Sequence, residues 1–418
     1  MILKNIKNIY NKTKGEKEFF PLFDTLEHME SLNSSTFQQH LITQEDFEKA
    51  LSFLKSYRGS QGTFNAYRRE LERFFQWCGR VANKSLNQIK REDFEDFVNF
   101  CQKPPKSWIG KYKVPRFIPK ENERIPNPEW KPFVVTVTKS ARTKGERPDL
   151  KNFEFKQGSL KELFAILSSF YNYLLQENYV FTNPVALIRQ KSKFIRKQQG
   201  PLKIRRLSDV QWKYVINTAQ EMAEIHPEIH QRTLFILSIL YSMYLRISEL
   251  AASERWTPMM KHFHRDSKNQ WWFTTVGKGN KQRQIAVSNS MLEALKIWRK
   301  HLGLSPLPSP SDNSPLLPKI KGPGPITHTT YIRRIIQKCF DKTIEELEKD
   351  NLPEEAESLK EVTVHWLRHT GISEDIKHRP REHVRDDAGH SSSAITDKYI
   401  DIELNARHET ARNKVINE

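Results

Sequence analysis

Leu160, Leu163, Phe164, Leu167, Phe170, Tyr171 and Leu174 recur at intervals of three and four residues. Only a helix turns that spacing into a single apolar face, and such a face must bury itself against something. The chain supplies partners. Phe64, Tyr67, Leu71, Phe74, Phe75 and Cys78 repeat the spacing, with Arg68, Arg69 and Arg73 on the outer side. Thr43, followed three residues on by Asp46, marks a capping-box start for a helix ending near Tyr57, and the glycines within 59–62 break it. A shorter helix is expected over 92–100, and the 160–174 helix stops before Asn183-Pro184. The first half reads as a small helical bundle whose stripes are explained by core packing.

The segment 102–158 is different. It is rich in proline, lysine and tryptophan, and only 133–138 reads as a strand. An irregular basic excursion of this length is more often functional or mobile than filler. Further on, 178–208 holds no carboxylate but eight basic residues, Arg189, Lys191, Lys193, Arg196, Lys197, Lys203, Arg205 and Arg206. A domain boundary is expected there. A linker charged this way suits a polyanion's backbone, and suits plain solvation equally well. The second half is helical with one strand pair, 271–276 and 283–288, around the turn Gly277-Lys278-Gly279-Asn280. Residues 303–326 carry seven prolines and read as a loop; 341–360 carry eight acids against three bases, a helix expected to face away from a polyanion or to meet a partner. No internal repeat is found. The expected division is an extension over 1–42, a helical domain over 43–190 with its 102–158 insertion, a basic linker over 191–206, and a second domain over 207–418.

Charge narrows the partner. The net charge of the 418 residues is +18, unevenly placed: 101–200 hold 20 Lys and Arg against 8 Asp and Glu, whereas 201–418 hold 33 against 28. A lopsided basic field suits nucleic acid, because each neutralised phosphate releases condensed counterions. A merely basic soluble protein is the plain alternative. Cys78, Cys101 and Cys339 are scattered and read as reduced thiols, not a disulfide framework or a zinc site. The longest apolar run, 234–245, is too short to span a bilayer and reads as a buried helix. The N-terminus lacks a signal core. A cytoplasmic, nucleoid-associated protein without membrane contact is expected.

Certain polar residues stand out against this background. Arg246 ends the most apolar run, so its guanidinium needs either an ion pair, with Glu249 at hand, or a bound anion. His365 and Arg368 are three apart on one helical face. His365 and His369 have the spacing of a helical zinc pair, but Trp366 stands where that motif needs glutamate. Gly389-His390 is followed nine residues later by Tyr399; singly, a loop histidine and a packed aromatic.

In order, these residues resemble the tyrosine recombinase (phage integrase) family: RISE at 246–249, GKGNKQR at 277–283, HWLRH at 365–369 and GHSSSAITDKY at 389–399, with TFNAYRRELERFFQW at 63–77 similar to its helical core-binding domain. The resemblance covers roughly 43–403. Departures are Tyr244, where relatives usually have glycine, the polar 371–388 segment where they have an aliphatic helix, a spacing from Arg368 to His390 about one residue short, and the long insertion. The first three leave local packing open. The resemblance implies a mainly α, two-domain protein with a small sheet that clamps duplex DNA, a SAM-like core-binding domain preceding a catalytic one. It implies a site-specific recombinase, working as a tetramer on paired sites, with integration or excision of a mobile element as the expected task. Arg246 and Arg368 are implied to clamp the phosphate, His365 and His390 to hydrogen-bond it, Lys278 to act as acid and Tyr399 as nucleophile, without metal or other cofactor. Arg68, Arg69, Arg196, Lys197, Lys203, Arg205, Arg206 and Arg283 are the expected DNA contacts. Two readings compete: a type IB topoisomerase sharing the chemistry, and a DNA-binding regulator with a dead site.

Overall fold

The computed structural model describes residues 19–31, 42–121, 123–143, 145–191, 194, 205–277, 279–390, 392, 395–396 and 411–412, with the side chains of 30, 31, 140, 143 and 189–191 left out. The chain divides into two units, Met1–Gln199 and Gly200–Glu418, both mainly helical.

The first unit is built on helices Gln44–Lys55, Gln61–Trp77, Arg91–Gln102 and Gln157–Gln176, where the four helices were expected. Thr43 caps the first, its hydroxyl accepting from the Asp46 amide at 3.1 Å. Asp46 is itself buried; its carboxylate accepts from the Leu86 amide and the Tyr179 hydroxyl, which joins distant parts of the bundle. Phe74 sits at the centre, its ring 5.0 Å from Phe97 and 6.1 Å from Tyr171.

Three expectations change here. The segment expected as a separate extension over 1–42 contributes Phe19, Leu22, Phe23 and Met29 to this same core. The wholly buried Glu72 carboxylate accepts from the Leu22 amide at 2.9 Å and the Phe23 amide at 3.2 Å, and Arg116 donates to it at 2.6 Å. The insertion is equally anchored. Trp108 lies 4.8 Å from Phe19 and 4.7 Å from Phe100, and the expected strand shrinks to Phe133–Val134, paired in parallel with Ile109–Gly110. A hairpin, Phe117–Lys120 with Glu123–Pro126, was hidden by its prolines, which a ladder tolerates only at free edges. Finally, Arg73 is not outside: it donates to the Pro132 carbonyl and pairs with buried Glu70. Of the expected linker, 192–193 and 195–204 lie outside the described residues.

The second unit begins with Asp209–Ile225, capped by Ser208, and the apolar helix Pro227–Ser242. A three-stranded antiparallel sheet follows, Phe263–Arg265, Trp271–Val276 and Gln282–Ala286, with Thr275 opposite Arg283. The first strand was too short to read from the sequence. Helices Asn289–His301, Thr329–Lys349, Pro353–Leu359, Val364–Asp375 and Arg381–Ala388 complete it. The acidic 341–360 stretch buries Thr343, Leu347, Ala356 and Leu359, and pairs several acids with Lys342, Lys349 and Lys360. Phe235, Ile236, Leu240, Leu295, Ile336 and Leu367 form the core that fixes the site. No helix among the described residues is long and apolar enough to cross a membrane.

Candidate active site

The site grows from the end of the Pro227–Ser242 helix. Tyr244 takes a left-handed backbone turn, φ +48°, and sends the chain into Arg246, which caps the short helix Ile247–Leu250. Glu249 turns back on its own cap. It accepts from the Arg246 amide at 3.0 Å and from the Arg246 guanidinium at 3.0 Å. From the strand Gln282–Ala286, Arg283 meets the same carboxylate with both terminal nitrogens, at 2.9 and 2.8 Å. Burial pushes the Glu249 carboxyl up, but the Arg283 bonds and charge, with those of Arg246, outweigh it and hold the group below the usual carboxylate range. The ion pair and the anion site posed by Arg246 are therefore compatible: Glu249 is shared, and the Arg246 side chain keeps 31% exposure.

Helix Val364–Asp375 brings in His365, Arg368 and His369. It crosses close to the end of the apolar helix at Gly371, where a Cβ would collide with the Tyr241 carbonyl. That approach sets Arg368 beneath the turn. One terminal nitrogen of Arg368 donates to the Tyr244 carbonyl and the other to the Ala388 carbonyl at 2.6 Å, and the residue is buried. Gly389, φ +63°, ends the helix Arg381–Ala388 and delivers His390. A Cβ there would lie 2.7 Å from Arg283 Cδ, so glycine is required both by the turn and by Arg283. His390 Nδ1 shares a 2.8 Å hydrogen bond with the buried Thr396 hydroxyl.

Electrostatics ties these pieces together. Burial, then the charges of Arg368 and Arg246, lowers the His365 imidazole. Burial and the charges of Arg368, Arg246 and Arg283 bring His390 to about 4. His369, its ring 4.4 Å from that of His365, falls to about 3 through burial, then His365, Arg368 and His390. Two fixed cations thus face neutral imidazoles, the arrangement expected of a pocket made for an oxyanion and able to take up a proton.

Four of the six residues singled out as catalytic, Arg246, His365, Arg368 and His390, come together here. Lys278 and Tyr399 lie outside the described residues, as do Lys197, Lys203 and Arg196. Arg205 and Arg206 begin the second unit, Arg205 exposed and Arg206 half-buried. Two other expected DNA contacts, Arg283 and Arg68, turn inward, whereas Arg69 keeps 41% of its side chain exposed. Arg283 keeps a tenth of its side chain exposed, pairs with Glu249 and donates through Nε to the Asp387 carbonyl at 2.9 Å. Its place two residues before Ile285, on the inward face of the strand, was the overlooked signal. Arg68 donates to the Asp24 carbonyl, and Arg69 pairs with Glu70 and Glu162. Glu249 entered the reading only as a partner for Arg246, and Gly371 not at all, although glycine inside a helix marks close approach.

Comparison with known proteins agrees with this geometry. Residues 205–405 match the phage integrase family and 31–108 match its N-terminal SAM-like domain. The chain is 22% identical over 254 residues to tyrosine recombinase XerC of Chlorobaculum parvum, covering 58% of this chain and 69% of that one. It is 25% identical over 266 residues to XerC of Xanthomonas axonopodis pv. citri, covering 61% and 73%. The fold is similar to that of XerH site-specific recombinase, solved in a post-cleavage complex with a palindromic difH substrate; the TM-score is 0.55 at 15% identity, over 95% of this chain and 99% of that one. The chain belongs to the phage integrase family and is a tyrosine-type site-specific DNA recombinase.

Proposed function

We propose that the chain cuts and rejoins DNA through a transient bond between Tyr399 and a strand phosphate. The observation that carries this reading is the convergence of Arg246, His365, Arg368 and His390, with Arg368 held between the carbonyls of Tyr244, two residues before Arg246, and Ala388, two residues before His390. The Tyr399 oxygen attacks phosphorus, the bond to one strand end breaks, and a phosphotyrosyl link forms as a hydroxyl leaves. Charge gathering on the nonbridging oxygens is met by the two guanidiniums, whose fork geometry suits a phosphate. His365, neutral before reaction, receives the phenol proton, and His390 donates a hydrogen bond to the phosphate. Lys278 protonates the leaving oxygen. Resealing runs the same steps backwards with the other strand's hydroxyl, so the bond energy stored in the link replaces a nucleotide cofactor. The permanent charge of two arginines does the electrostatic work a metal would otherwise do.

The target is a duplex recombination site, bound by both the helical first unit and the catalytic second unit, with Arg196, Lys197, Lys203, Arg205 and Arg206 contacting its phosphates. A tetramer on two synapsed sites is the working form, and integration or excision of a mobile element the task. Tyr399→Phe tests the core of the reading on a suicide DNA substrate. Covalent trapping is expected to vanish while DNA binding persists; undiminished trapping excludes Tyr399 as nucleophile. A plasmid carrying no recombination site should stay supercoiled, and its relaxation by a monomer would favour a topoisomerase instead.

A further inference from the structure

Tyr244 is fully buried in a left-handed turn that glycine would adopt more cheaply. Its two oxygens lead to the same place. The carbonyl accepts from Arg368. The hydroxyl bonds Asp375 and accepts from Arg379 at 3.0 Å. Arg379 also donates to Asp375 at 3.0 Å and to Asp387 at 2.6 Å. Asp387 is next to Ala388, whose carbonyl holds the other terminal nitrogen of Arg368. The contacts therefore close a ring: Arg368, Tyr244, Asp375, Arg379, Asp387 and back through Ala388 to Arg368. Among the described residues the apolar packing around it is thin: Tyr244, Ile372, Val384 and Ala388 are buried together, with Ile376 against them. Asp387 extends the ring toward Arg246, since its carboxylate accepts from the Ala286 amide and its carbonyl from Arg283.

We propose that Tyr244, Asp375 and Arg379 are positioning residues that hold the Arg368 guanidinium in its phosphate-binding orientation. A tyrosine in place of glycine and a polar 371–388 segment in place of an aliphatic one are then two halves of one device. The buried hydroxyl needs charged partners, and those partners tie the helix Arg381–Ala388 to the turn before Arg246. Arg368 is held at both terminal nitrogens by carbonyls whose places the ring fixes. Without it, the 375–388 segment would rest on four buried side chains, and the Ala388 carbonyl could drift from Arg368.

The inference rests on the reading of Arg368 as a phosphate clamp, and a double-mutant cycle separates the two. Single-turnover cleavage at saturating DNA, DNA affinity and thermal stability are measured for Tyr244→Phe, Arg368→Ala and the double variant. Tyr244→Phe is expected to slow cleavage by about ten- to hundredfold, the scale of a misplaced catalytic group, with affinity unchanged. In the Arg368→Ala background the same change should slow it no further. Tyr244→Phe, which keeps the buried ring and removes only the hydroxyl, should lose activity with little loss of stability, a split that a merely structural tyrosine would not give, whereas Tyr244→Gly empties a buried site and should lose both. Arg379→Lys, keeping the charge but not the fork, should restore little of what Arg379→Met loses. Wild-type cleavage by Tyr244→Phe and Tyr244→Gly, or a loss that multiplies fully with that of Arg368→Ala, overturns the positioning role alone. Wild-type cleavage by Arg368→Ala overturns the clamp itself and this inference with it.

Discussion

At the scale of residues, the charge of one buried carboxylate organises the site. Glu249 is shared by Arg246 and Arg283, so removing either arginine leaves a buried anion with half its partners. Arg283→Met is expected to destabilise the fold by about 3 kcal/mol, the range for breaking a buried ion pair, read as a shifted urea midpoint. Arg246→Ala, beyond its share of that destabilisation, and Arg368→Ala act on chemistry. Each should slow cleavage by about two to three orders of magnitude, the scale of losing one oxyanion donor. The histidines give a pH signature. His390 and His369 titrate near 4 and 3 in the folded chain, below the ordinary 6.5, so the unfolded chain binds more protons between those values. Their contribution to stability is complete above 6.5 and is lost as pH falls toward 4. His369→Gln should flatten that part of the stability profile in DNA-free protein, and an unchanged slope would contradict the burial argument.

Among elements, the sharpest demand is where the Val364–Asp375 helix meets the end of the apolar helix. Gly371→Ala forces a Cβ into backbone that cannot move aside as a side chain could. A loss of at least about 2 kcal/mol is expected, together with slowed cleavage because Arg368 lies one turn away; a thermal melt and a cleavage assay check both. The four long bundle helices were legible because three-four spacing survives whatever else the chain does. The hairpin at 117–126 was not, since Pro119 and Pro126 argue locally against strands and the contacts that anchor it, Arg124 on Asp24 and Arg116 on Glu72, come from residues far away in sequence. Phe19, Phe23 and Met29 were missed for a similar cause: they pack from a segment with no period to read. Glu70, Glu72 and Arg73 went unread because charge in a helix implies an outer face, and here mutual pairing lets them lie inside. At the site, motif order singled out Arg246, His365, Arg368 and His390, which the fold brings together, whereas the ring through Tyr244, Asp375 and Arg379 depends on bonds between segments over a hundred residues apart that no local pattern encodes.

For the whole molecule, we propose that the excess of basic charge sets how the protein meets DNA and that the paired arginines set what it does there. Replacing Arg196, Lys197, Lys203, Arg205 and Arg206 with alanine should reduce the slope of log affinity against log salt by about 4.5, near 0.9 for each of five phosphates no longer neutralised, without altering cleavage at saturation. An unchanged slope would place the backbone-binding cations elsewhere. The central claim is narrower, that the phenol of Tyr399 becomes bonded to the phosphate held by Arg246 and Arg368. Digesting a trapped protein–DNA complex with protease and nuclease, then weighing the peptides, tests it directly. A residual nucleotide is expected on the peptide carrying Tyr399, absent when Arg368 is replaced by alanine; a nucleotide on any other residue, or none in a complex that resists denaturation, would contradict it.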